Sequence, residues 1–215
     1  MTGKSKIRYA ASRRRRNTII VLLVLAAALL IWLDHTSFIQ QQAQPGGQTQ
    51  PGDLGKYHAK SFAVVNVVDG DTLDIDIGDG KSEHTRIRLW GIDTPETRST
   101  KYGVMYFGPE ASEFAKQLAL GKEVTVYLDR QGRTRGKYGR LLAYVKLPDG
   151  SFLNEILLTE GCAYTDLRFD HSFYHKYQSL QATARRNKKG LWEKVTREQL
   201  PQWLQREKPT LLLDK

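Results

Sequence analysis

The strongest restriction on the fold comes from three short β-type segments that are separated by tight turns. Residues 62–68, 71–77 and 84–92 are rich in β-branched residues or alternate between apolar and polar side chains. The turn-forming sequences Asp69–Gly70 and Gly78–Gly80 lie between them. Short β-type runs separated by such turns predict a meander of β-hairpins. The folded part of the chain is therefore expected to begin with antiparallel strands.

Two more strands and three helices are predicted after this meander. The strands are residues 123–128 and 140–147, and the helices run from Pro109 to Gly121, from a cap at Ser151 to Gly161, and from a cap at Asp170 or Ser172 to Asn187. Together the patterns predict a mainly β fold with helices (α+β), in which a five-stranded barrel of the oligonucleotide/oligosaccharide-binding (OB) type is joined by three helices.

A basic segment followed by an uncharged apolar run sets the N-terminus apart. Arg13–Arg16 precede Thr18–Leu33, a run of 16 residues, which is close to the roughly 20 that a membrane-spanning helix needs. Bulky residues end the run, so we favour an uncleaved signal anchor over a cleaved signal peptide or a buried core helix. The positive-inside rule then predicts a basic cytoplasmic tail at residues 1–17 and a transmembrane signal anchor at residues 18–37. The remainder is expected on the extracytoplasmic side, periplasmic or extracellular, with a cleaved secreted form left open.

Composition divides the rest of the chain into a linker, a domain and a tail. Residues 38–56 are rich in Gln, Pro and Gly and predict a flexible linker, residues 57–194 have the size of one compact domain, and residues 195–215 are expected to be a C-terminal tail. The net charge of +10 lies mostly in residues 1–33, which hold seven basic and no acidic side chains, so it says little about what the domain binds. A single cysteine, Cys162, excludes a disulfide-stapled fold and a zinc site built on cysteines.

Two motifs carry most of the chemical information. The sequence Asp69–Thr72 is most often only a hairpin turn, although it presents two carboxylates. In the second motif Pro95 forces the chain out of the strand, so Asp93 and Glu96 flank a rigid turn. Carboxylates held at a fixed separation are suited to a hard cation with oxygen ligands.

Two arginines are candidates to act together with these carboxylates. Arg88 belongs to the predicted strand that ends just before Asp93, and Arg140 follows Gly139 at the start of a later strand. A guanidinium binds phosphate bidentately and does not lose its proton at physiological pH. A cation and arginines in one pocket therefore favour a phosphodiester as ligand, whereas each residue taken alone is compatible with a surface salt bridge.

Several motifs then occur in an order that resembles the staphylococcal nuclease (thermonuclease) family. They are Asp69–Thr72, Arg88–Glu96, Phe107–Ala111, Lys137–Arg140, Asn154–Glu155 and Gly190–Trp192. The resemblance covers roughly residues 62–192. It implies a five-stranded OB-type barrel with three helices, in agreement with the strand and helix patterns.

The resemblance also implies a metal ion. By analogy with the family, Ca²⁺ would be bound by the carboxylates of Asp71 and Asp93 and by the backbone carbonyl of Thr94. Asp69 would lie nearby as an acid that does not bind the ion directly. Calcium accepts an irregular shell of carboxylate, carbonyl and water oxygens, which suits such a set.

The remaining implied roles concern the substrate. Glu96 resembles the carboxylate that orients or deprotonates the attacking water, and Arg88 and Arg140 resemble the pair that clamps the phosphate. Lys137 and Tyr138 fall where the family contacts a terminal phosphate of a bound nucleotide. The implied reaction is calcium-dependent hydrolysis of DNA or RNA at the P–O5′ bond, leaving 3′-phosphate ends, with no obligate protein partner.

Two features depart from the family pattern. Leu167 stands near the position of an aromatic residue that stacks on the base, with Tyr164 and Phe169 as candidate substitutes. The arginine-rich stretch Arg130–Arg135 is either a solvated loop or a site for flanking phosphates.

The alternative to a nuclease is a non-catalytic OB module that binds nucleic acid or protein. A binding module needs no complete catalytic set, yet this chain contains all of Asp71, Arg88, Asp93, Glu96 and Arg140. A third hypothesis, an adhesion or envelope-structural protein, rests on the predicted anchor and linker alone. We therefore favour the nuclease.

Overall fold

The computed structural model describes residues 49–97, 103–130 and 132–212. The predicted cytoplasmic tail (1–17), the transmembrane anchor (18–37) and most of the predicted linker lie outside these residues. Among the helices formed by the described residues, none has the length and apolar character needed to cross a membrane.

Seven strands are present in the described part of the chain, and five of them close into a barrel. They are β1 (Lys60–Asp69), β2 (Thr72–Ile75), β3 (Thr85–Leu89), β4 (Ile92–Asp93), β5 (Glu123–Tyr127), β6 (Leu141–Lys146) and β7 (Tyr164–Thr165). The barrel order is β1–β2–β3–β6–β5, and β5 pairs with β1 to close it. β3 and β6 are parallel, whereas the other neighbours in the barrel are antiparallel. The predicted five-stranded barrel is confirmed.

Strand β3 shows why the barrel forms. Its alternate residues Thr85, Ile87 and Leu89 are buried, while Arg86 is exposed and Arg88 is partly exposed. The period of two places the apolar side chains inside the barrel and both arginines outside it. Burial of such side chains stabilises the fold by about 25 cal/mol per Å² of apolar surface.

Five α-helices are described, including the three that the sequence predicts. They are α1 (Asp53–Tyr57), α2 (Gly108–Ala119), α3 (Leu153–Thr159), α4 (Tyr174–Arg186) and α5 (Gln202–Glu207), with short 3₁₀ helices at Gly190–Glu193 and Arg197–Gln199. α2, α3 and α4 match the predicted helices within a few residues at each end.

The predicted caps of α3 and α4 are wrong. The residues at the cap positions are Phe152 and Phe173, and neither has a side-chain capping bond. The Ser151 hydroxyl donates to Asp149 at 2.6 Å instead. Ser172 likewise donates to Asp129 at 2.8 Å. Each helix begins one residue later than a cap at Ser151 or Ser172 would require, so neither serine oxygen is at the position that accepts a first-turn N–H.

Helix α1 spans the last residues of the predicted linker and the first residue of the predicted domain, and it packs against the barrel. The Tyr57 side chain is fully buried, and its hydroxyl shares a 3.1 Å hydrogen bond with Thr85. Asp53 is also buried, and its Oδ1 and Oδ2 accept hydrogen bonds from Arg135 at 2.7 and 2.8 Å. Arg135 additionally pairs with Asp79. Arg135 is therefore neither solvated nor free to bind phosphate, in contrast to both interpretations of the arginine-rich stretch.

The segment predicted to be a C-terminal tail is packed as far as residue 212. Its apolar residues join Tyr164 and Trp192 in a second hydrophobic cluster beside the barrel core; those most deeply buried are Val195, Leu200, Trp203, Leu204 and Leu211. Trp203 and Leu204 belong to the short helix α5, and Leu200 lies in the extended segment just before it.

Candidate active site

The candidate active site lies where β2 begins and β3 and β4 end. Asp71 immediately precedes β2, and its backbone carbonyl accepts a 2.8 Å hydrogen bond from the Leu89 N–H of β3. Arg88 stands opposite Thr72 in the β2–β3 register. Antiparallel pairing therefore brings the end of β3 beside the turn that carries Asp69 and Asp71.

Asp71 is buried and fully hydrogen-bonded. Its Oδ1 pairs with Arg88 and accepts a 3.0 Å hydrogen bond from the Thr72 hydroxyl. Its Oδ2 accepts the Thr94 backbone N–H at 2.8 Å and the Thr94 hydroxyl at 3.1 Å. Burial raises the pKa of Asp71, with the Arg88 charge opposing the shift. Asp69 supports the same turn, because its carboxylate accepts the Asp71 N–H at 3.2 Å.

A single guanidinium joins the two predicted metal-binding carboxylates. Arg88 Nη1 pairs with Asp71 Oδ1, and Arg88 Nη2 pairs with Asp93 Oδ1. Burial lowers the pKa of Arg88, but Asp71 and Asp93 raise it by more, so the side chain stays charged. Since both nitrogens belong to one small planar group, the two carboxylates lie on neighbouring donors of the same guanidinium.

Two glycines allow the turn after β4 to approach the rest of the site. A Cβ atom on Gly70 would lie 2.8 Å from the Thr94 hydroxyl oxygen, and one on Gly108 would lie 2.6 Å from the Glu96 carbonyl oxygen. That carbonyl also accepts the Met105 N–H at 2.9 Å. The backbone of Glu96 is therefore fixed, while its side chain is exposed to solvent.

The charges around Glu96 link it to the same site. Partial desolvation raises the pKa of the Glu96 carboxyl, and the carboxylates of Asp93 and Asp69 raise it further. Arg88 and Arg140 act in the opposite direction. A carboxylate with a raised pKa is a better proton acceptor from water.

Arg140 reaches the site through Thr72. Its Nη1 lies 3.5 Å from the Thr72 hydroxyl, which itself donates to Asp71. Lys137 and Tyr138 lie beside it: the Lys137 ammonium is 5.3 Å and the Arg140 guanidinium carbon is 5.7 Å from the centre of the Tyr138 ring. Tyr138 is 74% exposed, so this group forms an open, cationic edge beside the acidic cluster.

Asp93 has two further partners that the sequence patterns did not indicate. Its Oδ2 accepts the Trp203 indole N–H at 2.8 Å and the Arg168 guanidinium at 3.3 Å. Trp203 lies in the predicted tail and Arg168 in the loop after β7. A contact between residues 110 positions apart has no local sequence signal.

The candidate base-stacking residues differ in their surroundings. Tyr164 is fully buried in the second cluster and is not available to a ligand. Leu167 packs against that same cluster. Phe169 is partly exposed and stacks on Trp90 with 5.7 Å between ring centres, and the Arg133 guanidinium lies 4.2 Å from its ring. Of the two aromatic candidates, only Phe169 is partly exposed, and its ring is in contact with Trp90 and Arg133.

The residues present fit a hard cation held by oxygen atoms. Asp71 Oδ1 and Asp93 Oδ1 both pair with the Arg88 guanidinium, so one positive group already bridges the two carboxylates. Thr94 adjoins both carboxylates in the fold. No group of three or more His, Cys, Asp or Glu side chains within the described residues is arranged to hold a metal. A bound ion would therefore complete its coordination shell with backbone and water oxygens, as calcium often does.

Comparison with known proteins agrees with this geometry. A family model described as staphylococcal nuclease homologue matches residues 86–194. The chain is 35% identical over 147 residues to a thermonuclease of Staphylococcus hyicus, covering 68% of this chain and 83% of that protein. It is 38% identical over 136 residues to a thermonuclease of Staphylococcus intermedius, covering 63% and 77%. An uncharacterized endonuclease of Escherichia coli is 34% identical over 150 residues, covering 66% and 82%.

Proposed function

The chain belongs to the staphylococcal nuclease family, and from this premise we propose that it is a hydrolytic nuclease of the thermonuclease type. The observation that carries the proposal is the convergence of Asp71, Arg88 and Asp93 at one end of the barrel, with Glu96 and Arg140 beside them. Its substrate is DNA, RNA or both, and cleavage at the P–O5′ bond leaves 3′-phosphate ends.

Each charged side chain has a distinct task in this proposal. Arg88 and Arg140 bind the scissile phosphate and stabilise the charge that develops on its oxygens in the transition state. Glu96 lies on a fixed backbone near both arginines and accepts a proton from the attacking water. Lys137 and Tyr138, on the exposed edge beside Arg140, contact a further phosphate of the substrate.

The proposal includes a calcium ion. Asp71, Asp93 and the Thr94 carbonyl would hold it, with Asp69 supporting the turn that carries Asp71. When bound, the ion neutralises a phosphate oxygen and polarises the phosphorus. Calcium is favoured over magnesium because the donor set is irregular and magnesium requires a nearly octahedral shell.

The proposed activity is tested by comparing two glutamine variants. Glu96→Gln removes the proton acceptor and is expected to lower the rate of calcium-dependent nucleotide release from DNA and RNA by about 10²–10⁴-fold. Glu123→Gln makes the same chemical change on β5, opposite Ala63, and should leave the rate unaltered. Ala63 is six residues along β1 from Asp69, roughly 20 Å at the usual rise of a strand.

Three outcomes would contradict the proposal. A Glu96→Gln variant that cleaves at the wild-type rate would remove Glu96 from the mechanism. Full activity in magnesium with calcium chelated would contradict the assigned metal. Nucleic-acid binding by the wild-type chain without cleavage, whichever metal is supplied, would favour the non-catalytic OB module.

In the same proposal residues 18–37 anchor the protein in a membrane, with the nuclease domain on the extracytoplasmic side. The support is the Arg13–Arg16 cluster directly before the apolar run. Protease added to intact spheroplasts that express the full chain should digest the domain. Protection of the domain until the spheroplasts are lysed would reverse the proposed orientation.

A further inference from the structure

The indole of Trp203 reaches the candidate active site from outside the part of the chain that the family model matches. That match ends at residue 194, whereas Trp203 lies in α5. Its Nε1–H donates to Asp93 Oδ2 at 2.8 Å. Trp203 is only 9% exposed, so water competes weakly for this hydrogen bond.

The two carboxylate oxygen atoms of Asp93 have different partners. Its inner oxygen, Oδ1, pairs with Arg88, which also pairs with Asp71. Its outer oxygen, Oδ2, accepts hydrogen bonds from Trp203 and Arg168 instead. The side chain is 14% exposed. Rotation of the carboxylate would therefore break both outer hydrogen bonds with little compensation from solvent.

Trp203 also supports the second donor to Asp93. The Arg168 guanidinium carbon lies 4.5 Å from the Trp203 ring, in cation–π contact. Asp166 holds the same guanidinium by two hydrogen bonds of 2.8 Å. Leu200 and Leu204 are buried with Trp203 in the second hydrophobic cluster and fix the position of α5. The outer oxygen of Asp93 thus faces donors that are themselves held in place.

We propose that Trp203 is a positioning residue for Asp93: its indole N–H holds the outer oxygen so that the inner oxygen points toward Asp71 and a shared cation. The inference rests on the proposed function. Donors to a metal-binding carboxylate orient it, and their loss typically costs 10–100-fold in metal affinity. If Trp203 only anchored the C-terminal residues, its N–H would matter for stability and not for calcium binding.

The test compares two tryptophan-to-phenylalanine variants of the full chain. Trp203→Phe keeps an aromatic ring beneath Arg168 and removes the N–H. Trp192→Phe is the matched control, because Trp192 is buried in the same cluster and its Nε1 has no hydrogen-bond partner in the described part of the chain. Calcium affinity is measured by titration calorimetry without nucleic acid, and the calcium concentration for half-maximal DNA cleavage is measured separately.

Trp203→Phe is expected to weaken calcium binding and to raise the half-maximal calcium concentration by about tenfold. Trp192→Phe is expected to lower the unfolding temperature without changing either calcium value. Equal calcium affinities in the two variants and the wild type would overturn the inference. A wild-type chain that neither binds calcium nor cleaves nucleic acid would instead overturn the proposed function on which the inference rests.

A second measurement applies to the wild-type chain and does not depend on the stability of Trp203→Phe. The chain contains four tryptophans, so ¹⁵N labelling of their indoles gives four N–H signals in an NMR spectrum. The Trp203 signal is assigned by elimination with phenylalanine variants of the other three. It should shift when calcium is added while the Trp192 signal stays in place; a stationary Trp203 signal in a calcium-saturated chain would overturn the inference.

Discussion

Replacement of Asp53 by alanine is expected to destabilise the domain by about 3 kcal/mol, because it removes one of the two carboxylates that pair with a buried guanidinium. The side chains of Asp53 and Arg135 are 5% and 4% exposed. The variant loses two hydrogen bonds from Arg135 and one of 2.6 Å from Thr134. Loss of one partner of a buried ion pair costs about 3–5 kcal/mol. The lower end applies here because Asp79 still pairs with Arg135.

Urea unfolding followed by tryptophan fluorescence measures this loss. Asp79→Ala serves as the control: Asp79 is 26% exposed and Asp53 remains, so its loss should cost about 1 kcal/mol, as for a partly solvated ion pair. The double variant Asp53→Ala/Arg135→Met should be less destabilised than the sum of the two single changes, since no buried charge is then left without its partner. A cost below about 1 kcal/mol for Asp53→Ala, or full additivity in the double variant, would refute the buried ion pair.

Three other changes follow from the geometry of the site and the core. Gly70→Ala forces the new Cβ against Thr94, at 2.8 Å from its hydroxyl oxygen, and a displacement of this kind should lower the cleavage rate by about 100-fold with an unchanged circular dichroism spectrum; an unaltered rate would show that the turn can shift freely. Arg140→Lys keeps the charge but loses the planar donor pair, so the rate should fall by about 10²-fold while substrate binding keeps its dependence on salt; a rate equal to wild type would show that charge alone suffices. Burial lowers the pKa of His171, so the folded chain binds its proton less readily than the unfolded chain, and stability should decrease as pH falls below about 6.5. Urea midpoints at pH 7.5 and 5.5 should differ less in His171→Gln than in wild type, and equal differences would contradict this assignment.

The barrel and its acidic turns were accessible from sequence because they depend on local patterns. The alternation of Thr85, Ile87 and Leu89 with two arginines is sufficient to define the inner face of β3. Pro95 follows β4 and restricts the backbone of Thr94 by a steric effect, which fixes the turn that carries Thr94 and Glu96. These are effects of neighbouring residues, so they need no knowledge of the rest of the fold.

The features that the patterns missed depend on contacts between distant residues. Arg135 meets Asp53 across 82 positions and Trp203 meets Asp93 across 110. The sequence around Arg135 or Trp203 contains no pattern that indicates whether the side chain has a buried partner or is solvated. Composition therefore does not indicate whether a given arginine of the arginine-rich stretch is solvated. The environment of Arg135 depends instead on how α1 packs on the barrel. The two wrong helix caps show the limit of a local pattern, since each helix begins one residue later than a cap at Ser151 or Ser172 would require.

The hydrogen bond between Trp203 and Asp93 also has a consequence for biosynthesis. The indole comes from α5, and it binds a carboxylate that the ribosome adds 110 residues earlier. During translation the outer oxygen of Asp93 therefore lacks this donor until α5 has been synthesised and has left the ribosome. The five barrel strands all precede α5 in the chain, so they can pair before Trp203 is available. A nascent chain can thus contain a paired barrel in which Asp93 still lacks the indole donor.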